Sequence, residues 1–524
     1  MFFLNDSVAK LISKNVKGRI GIYIHNYIMA GIYFLIGIGL NKILMMLMGI
    51  SKSEFKKYIS MPTSEFKTLL KEPYFIVLIA MILIFFILLI GGEHRAKKYF
   101  NMAKASKNQN FGKARFSDIS EILKTGLTGD GIIFGKINKK IISKPPTVEG
   151  HVLITGGTGT GKSRGVVIPT LLRWQGAALV MDIKGELSKK TSDRRKVFGK
   201  VYVFNPEGEG DCYDPIVQCK TIDQAQDLAR TLIPIPEKGE PFWAQSAQAI
   251  LSAFVYEGAY TNKTLPEIAE TLCTTPITEL VEHCRNSDIR EVRILASITY
   301  DLPEKTLGGI MGELKSKLIT IATDQNIHKA TRKSDWSPET LEEGATVYLR
   351  VSEHLIEQYK GLLTVIISQV LKHLSKREER KEPPILIAID ETPRLSKIDG
   401  LTNALATLRS RNVHIMCVIQ SMAQLDKIYG KDERKVIADN CRFKFILSAT
   451  DPETQKYFSD LAGQKTVMAK GESFSTSAWG SSKSEQGTPL IRPEEWANLE
   501  QPILLAPRLQ PVKLDLAFWD IEKF

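Results

Sequence analysis

Residues His151 to Ser163 read HVLITGGTGTGKS. An apolar strand (Val152, Leu153, Ile154) runs into Gly156-x-x-x-x-Gly161-Lys162-Ser163, and a helical stretch follows. This order of strand, glycine-rich turn and helix meets the physical needs of a phosphate site. Gly156, Gly159 and Gly161 let the backbone wrap a phosphate without Cβ clashes. The N–H groups of the loop (Gly156, Gly157, Thr158, Gly159, Thr160, Gly161, Lys162, Ser163) and the helix N-terminus supply positive potential. Lys162 is placed to reach the β- and γ-phosphates of ATP, and the Ser163 hydroxyl to ligate Mg²⁺. The sequence therefore predicts an α/β P-loop nucleotide-binding domain.

Such a site needs a carboxylate at the tip of a neighbouring strand. Pro384 to Glu391, PILIAIDE, supplies one: consecutive apolar residues suited to a buried parallel strand, then Asp390 and Glu391. Asp390 is assigned to the Mg²⁺ shell and Glu391 to the general-base role on water. Asp182, ending the strand-like ALVMDI, is a rival for the metal, but it lacks an adjacent Glu. A further strand, Val413 to Ile419, ends in Gln420, whose amide is placed to sense a γ-phosphate. Before it lie Arg409 and Arg411, either of which suits an arginine finger acting on a neighbouring subunit's ATP, or a solvated helix end.

Working outward, strands and helices alternate from His151 to about Pro206 and again from Ala345 to the end, the pattern of a parallel sheet. Residues 211–335 are read as an inserted all-helical domain, with amphipathic stretches at Ala244–Tyr260 and Leu265–Leu272. Gly131 to Ile142 is strand-like, and the Ser/Gly-rich run Lys470 to Gly487 reads as a mobile loop.

The N-terminal 95 residues read as a membrane anchor. Ile20–Leu40 and Tyr74–Ile90 are uncharged apolar runs, predicting two transmembrane helices at about 20–41 and 73–92. The first lacks a signal-peptide cleavage pattern and is followed by a second span. Lys10, Lys14, Lys17 and Arg19 before the pair, and Arg95, Lys97 and Lys98 after it, favour cytoplasmic flanks. Lysines in the connecting loop blunt that rule, so the stronger argument is that the nucleotide domain must sit where ATP is. The balance of 70 Lys+Arg against 58 Asp+Glu favours a polyanionic partner. Six scattered cysteines without a C-x-x-C pair predict reduced, mostly buried thiols.

Taken together these residues resemble the type IV secretion coupling proteins, the TraG/TraD-like ATPases of bacterial conjugation. The resemblance rests on the two spans, Phe111-Gly-Lys-Ala-Arg115, Gly131-Ile-Ile-Phe-Gly135 and the P-loop with Ile168-Pro-Thr-Leu-Leu172. It extends through Asp182-Ile-Lys-Gly-Glu186, Phe242-Trp243, Asp390-Glu391, Gln420-Ser-Met-Ala-Gln424-Leu, Asn440-Cys441 and Asp451-Pro-Glu-Thr454. It implies a RecA-like domain from residues 96–210 and 336–524, a homo-hexamer with ATP and Mg²⁺ at subunit interfaces, and an inner-membrane location with the ATPase domain in the cytoplasm. It also implies transfer of relaxase-bound single-stranded DNA, or effector protein, to type IV secretion channel components. Arg409 best matches the family's interface arginine. The sequence departs from the family at Thr392-Pro393-Arg394, where an aromatic-proline-x-Leu-Gly run is more usual. Other readings are an FtsK-like translocase, which would carry more spans and a C-terminal winged helix, and a receptor that binds ATP only to hold a docking platform. An ABC transporter subunit would need an LSGGQ-type signature, which the sequence lacks.

Overall fold

The computed structural model describes residues 111–524 except 208, 237, 238, 476, 477 and 523, together with Gly49, Ser51 and Ser53. Both predicted spans, 20–41 and 73–92, lie outside the described residues. Among those described, no helix is long and apolar enough to cross a membrane. The chain divides into two compact units, Met1–Lys113 with Gln464–Thr488, and Ala114–Gly463 with Pro489–Phe524.

The larger unit is organised by apolar runs that form strands, buried on both sides except at the half-buried edge strand β5. These strands are β3 (Val152–Thr155), β4 (Ala177–Ile183), β5 (Val201–Phe204), β6 (Thr346–Val351), β7 (Ile385–Ile389), β8 (Val413–Ile419) and β9 (Phe443–Ile446). They run parallel in the order β9-β3-β8-β7-β4-β6-β5. β12 (Ile503–Leu505) joins β9 antiparallel, and β13 (Val512–Lys513) pairs antiparallel beyond it. Alternate side chains feed two separate apolar layers, as the period-2 pleat requires. Ile385, Ile387 and Ile389 enter one layer while Leu386 and Ala388 enter the other. An apolar run without polar alternation is the result, and both faces of the sheet must be covered.

One face is covered by Ile168–Arg173, by Trp174 and by the hairpin of β1 (Ile132–Ile137) and β2 (Lys140–Lys144). The strand-like stretch from Gly131 is therefore not one strand. It reverses at Asn138 and Lys139, both at positive φ (48° and 67°), the backbone that a tight two-residue hairpin turn demands. The other face continues into helices. From β5 to β6 the described chain is helical, including Ile222–Leu232, Pro241–Thr261, Leu265–Thr274, Ile277–Asn286 and Glu304–Thr323. Ile250, Leu265 and Ile310 share one apolar cluster with the sheet residues Leu179 and Ile387. The six cysteines are free thiols, and all but Cys273 are fully buried.

In the smaller unit, β10 (Gln464–Ser475) and β11 (Ala478–Pro489) form a two-stranded sheet, and the Phe111 amide donates to Thr466 Oγ1 at 3.1 Å. The loop predicted for Lys470 to Gly487 is corrected here to paired strands. Ser and Gly weaken a lone strand, but each arm can satisfy the other's backbone groups, and composition does not register that partnership.

Three basic groups are buried beneath the N-terminal end of the sheet. Lys144 Nζ contacts His414 Nδ1 at 2.8 Å, and His151 Nδ1 accepts from the Ile415 amide at 2.9 Å. Burial, reinforced by Lys144, pushes His151 down to about 3. An unfolded histidine titrates near 6.5, so below that pH the unfolded chain binds more protons and stability falls. The unfolding midpoint should drop between pH 7 and pH 5, and His151→Gln should flatten that slope, as read by thermal melts across pH. An unchanged slope would mean His151 does not carry the effect.

Candidate nucleotide-binding site

The phosphate loop leaves β3 at the C-terminal edge of the sheet. The Gly156 amide donates to the Ile419 carbonyl of β8 (3.2 Å) and the Gly157 amide to Ser448 Oγ just beyond β9 (3.1 Å). Thr160 Oγ1 donates to the Gly157 carbonyl at 2.8 Å, closing the turn. Gly159 and Gly161 sit at φ +80° and +91°, a left-handed backbone that side chains rarely adopt. Ser163 opens a π-turn, Ser163–Val167, that runs into Ile168–Arg173. Such wide turns recur at functional helix ends. Lys162 is buried, and its ammonium donates to the carbonyls of Gly156 (2.7 Å) and Gly157 (2.9 Å).

Opposite stand the predicted carboxylates. β8 lies between β3 and β7, with Thr155 level with Ile419 and Ile389 level with Cys417. β7 ends at Ile389, and Asp390 and Glu391 follow it in a turn in which Glu391 has a left-handed backbone. With neighbouring strands just under 5 Å apart, the strand ends that carry the loop and the acidic pair are separated by about 10 Å. Asp390 is buried, and burial first, then the charge of Glu391, pushes its carboxyl up to about 6, against the opposing pull of Lys162. Burial lowers the Lys162 pKa, offset by Asp390 and Glu391. Asp390 thus remains mostly ionised at neutral pH. The Ser163 hydroxyl and the Asp390 carboxylate are hard oxygen donors of the kind Mg²⁺ takes together with phosphate oxygens and water.

Asp182 is taken by a different task. Its two carboxylate oxygens accept the amides of Leu187 (3.0 Å) and Ser188 (2.8 Å), capping the helix Glu186–Arg195. Gln420 ends β8 as predicted, and its side-chain oxygen accepts from Gln424 Nε2 at 3.2 Å. The two outer glutamines of the Gln420-Ser-Met-Ala-Gln424 run thus form one pair. Arg409 is not with this group. It precedes β8, at the opposite edge of the sheet, with Glu149 at 3.7 Å. The alternative, Arg411, donates to the Arg377 carbonyl and accepts from Arg377 through its own, which ties it into the fold.

Several residues around the loop left no mark in the sequence pattern. Leu516 packs on Gly161 and Gly165, and Phe518 lies against Gly161 with the Arg164 guanidinium 4.4 Å from its ring. Arg164 also holds Asp520 through two hydrogen bonds (2.9 and 2.7 Å). The C-terminal segment therefore straps the helix that follows the loop, a long-range contact that no local motif encodes.

A largely parallel sheet with a P-loop after one strand and an acidic pair after the strand two away defines a P-loop nucleotide-binding α/β protein. The family described as type IV secretory system conjugative DNA transfer matches residues 103–520, and the chain belongs to it. Protein VirD4 of Agrobacterium fabrum is 28% identical over 399 residues, covering 70% of this chain and 58% of that protein. Conjugal transfer protein TraG of Escherichia coli is 25% identical over 400 residues, covering 67% and 62%. The chain thus spans about three fifths of the length of these relatives. Among solved structures, the conjugative coupling protein TrwBdeltaN70 with sulphate shares the fold, with a TM-score of 0.63 and 19% identity over 80% of this chain and 96% of that one. TrwB in complex with the ATP analogue ADPNP gives a TM-score of 0.62 at 18% identity, over 78% and 95%.

The two aspartates should separate in experiment. Asp182→Ala removes two charge-assisted hydrogen bonds and should cost about 2–3 kcal/mol of stability in denaturant unfolding, leaving Mg²⁺-dependent nucleotide binding intact. Asp390→Ala should do the reverse.

Proposed function

We propose that this chain is the inner-membrane coupling ATPase of a conjugative type IV secretion system. It would receive relaxase-bound single-stranded DNA, or an effector protein, and power its passage to the secretion channel by ATP hydrolysis. The observation that carries this reading is the shared strand edge: Lys162 and Ser163 after β3, Gln420 after β8, and Asp390-Glu391 after β7. Family membership and the match to VirD4 and TraG supply the conjugative context.

In this mechanism the loop amides and Lys162 hold and neutralise the triphosphate. Ser163 and Asp390 would hold Mg²⁺, which would supply positive charge to the phosphate oxygens when bound. Glu391 orients water and takes its proton, and Gln420 senses the terminal phosphate. Arg409, remote from its own loop, serves a neighbouring subunit in a homo-hexamer. The two N-terminal spans anchor the assembly, with the ATPase domain in the cytoplasm and residues 211–335 as an inserted helical domain. DNA is held through its backbone without sequence preference, so binding weakens with salt.

Lys162→Ala should lose ATP binding and conjugative transfer. Glu391→Gln should keep ATP binding but lose turnover by about 10²–10⁴, the usual weight of a general base, and should also abolish transfer. Phosphate release with and without single-stranded DNA checks both. A Glu391→Gln protein with normal turnover would defeat the mechanism, and a wild-type chain that binds ATP without DNA-stimulated release would be a docking receptor instead.

A further inference from the structure

The segment after the acidic pair, Thr392-Pro393-Arg394, folds back onto the carboxylate that precedes it. Glu391 has a left-handed backbone (φ +52°, ψ +49°), unusual for a residue with a Cβ. A short 3-10 turn, Thr392–Arg394, follows, closed by the Arg394 amide on the Glu391 carbonyl at 2.8 Å. The turn brings the Arg394 side chain back over Glu391, with Nε 2.7 Å from Oε2.

Arg394 also reaches a second carboxylate. Its Nη2 donates to Glu353 Oε1 at 2.9 Å, and Glu353 Oε2 is held by Lys184 Nζ at 3.1 Å. Lys184, Glu353 and Glu391 follow β4, β6 and β7 respectively. Four charges of alternating sign, Lys184–Glu353–Arg394–Glu391, therefore link three adjacent strand ends. The one guanidinium thus donates a hydrogen bond to Glu353 and makes an ion pair with Glu391. Each of these pairs is at least partly open to solvent, and such pairs are weak and exchange readily. Arg394 and Glu391 also line a cavity of about 650 Å³ shared with Gln420, Gln424 and Lys427, which leaves the guanidinium room to move.

We propose that Arg394 is a positioning residue that latches Glu391 away from water, and that Glu353 is the competing anchor that draws Arg394 off. Oxygen Oε2 is buried, makes no hydrogen bond and is held against the guanidinium only by the ion pair, so it is not open to an attacking water. When Arg394 rests wholly on Glu353, the carboxylate of Glu391 is free to turn toward the phosphate site. This rests on the general-base reading of Glu391, and the test separates the two.

Full-length protein carrying Arg394→Ala, Arg394→Lys, Glu353→Gln, the Glu353→Gln/Arg394→Ala pair and Glu391→Gln is assayed for steady-state ATP turnover without DNA. Arg394→Ala should raise kcat about fivefold, the factor equivalent to about 1 kcal/mol of exposed ion pair, with KM for ATP unchanged. Arg394→Lys should stay near wild type. Glu353→Gln should lower kcat by a similar factor, because the arginine then stays on Glu391. The pair should behave as Arg394→Ala alone, since removing the latch makes its anchor irrelevant. Loss of packing would lower the melting temperature, but it would not raise kcat or produce this dependence. If Glu391→Gln is inactive while Arg394→Ala is no faster than wild type, or if the two single effects simply add, the latch is overturned and the general base stands. If Glu391→Gln turns over normally, both fall.

Discussion

The site depends on one spacing: strand β8 separates the strand that delivers the phosphate loop from the strand that delivers the acidic pair. Adjacent strands would set Glu391 hard against the loop, leaving no width for a phosphate and a water. The interposed strand sets a gap of about two strand spacings, near 10 Å, between the two strand ends, and is itself followed by Gln420. Sheet hydrogen bonding fixes these distances, so the chemistry inherits the rigidity of a strand edge buried on both faces. The loop itself is tied to that edge through Ile419 and Ser448.

Charge around this gap is arranged in two tiers. Inside, Lys162 and Asp390 are both buried and each moderates the cost of the other's burial. Outside, Lys184, Glu353 and Arg394 form a more exposed chain that ends on Glu391. The inner pair is a fixed feature of the site, because its desolvation cost is met once in folding. The outer chain suits exchange of partners, because each of its links is individually weak.

Much of this was legible in the sequence because it is local. The strands ending at Thr155, Ile389 and Ile419 were readable from apolar runs, and the loop from its glycines and Lys162. In the sequence only the Glu beside Asp390 separates it from Asp182, and the pattern gives no sign that both Asp182 oxygens accept helix amides. What stayed hidden was long-range or conformational. Leu516 and Phe518 reach the loop from more than 350 residues away, Glu353 meets Arg394 across two strand ends, and the turn that folds Arg394 onto Glu391 depends on a positive φ at a non-glycine residue. The Ser/Gly-rich run at 470–487 shows the same limit, since its composition suggested a loop while pairing makes it strand. The predicted membrane spans fall outside the described residues.

The most direct measurement is an experimental structure of the chain with Mg²⁺ and a non-hydrolysable ATP analogue. The account predicts the metal about 2.1 Å from Ser163 Oγ, with Asp390 one water away or closer and Glu391 facing the terminal phosphate. A metal held at Asp182, or a triphosphate bound with Asp390 and Glu391 turned away from it, would contradict the account.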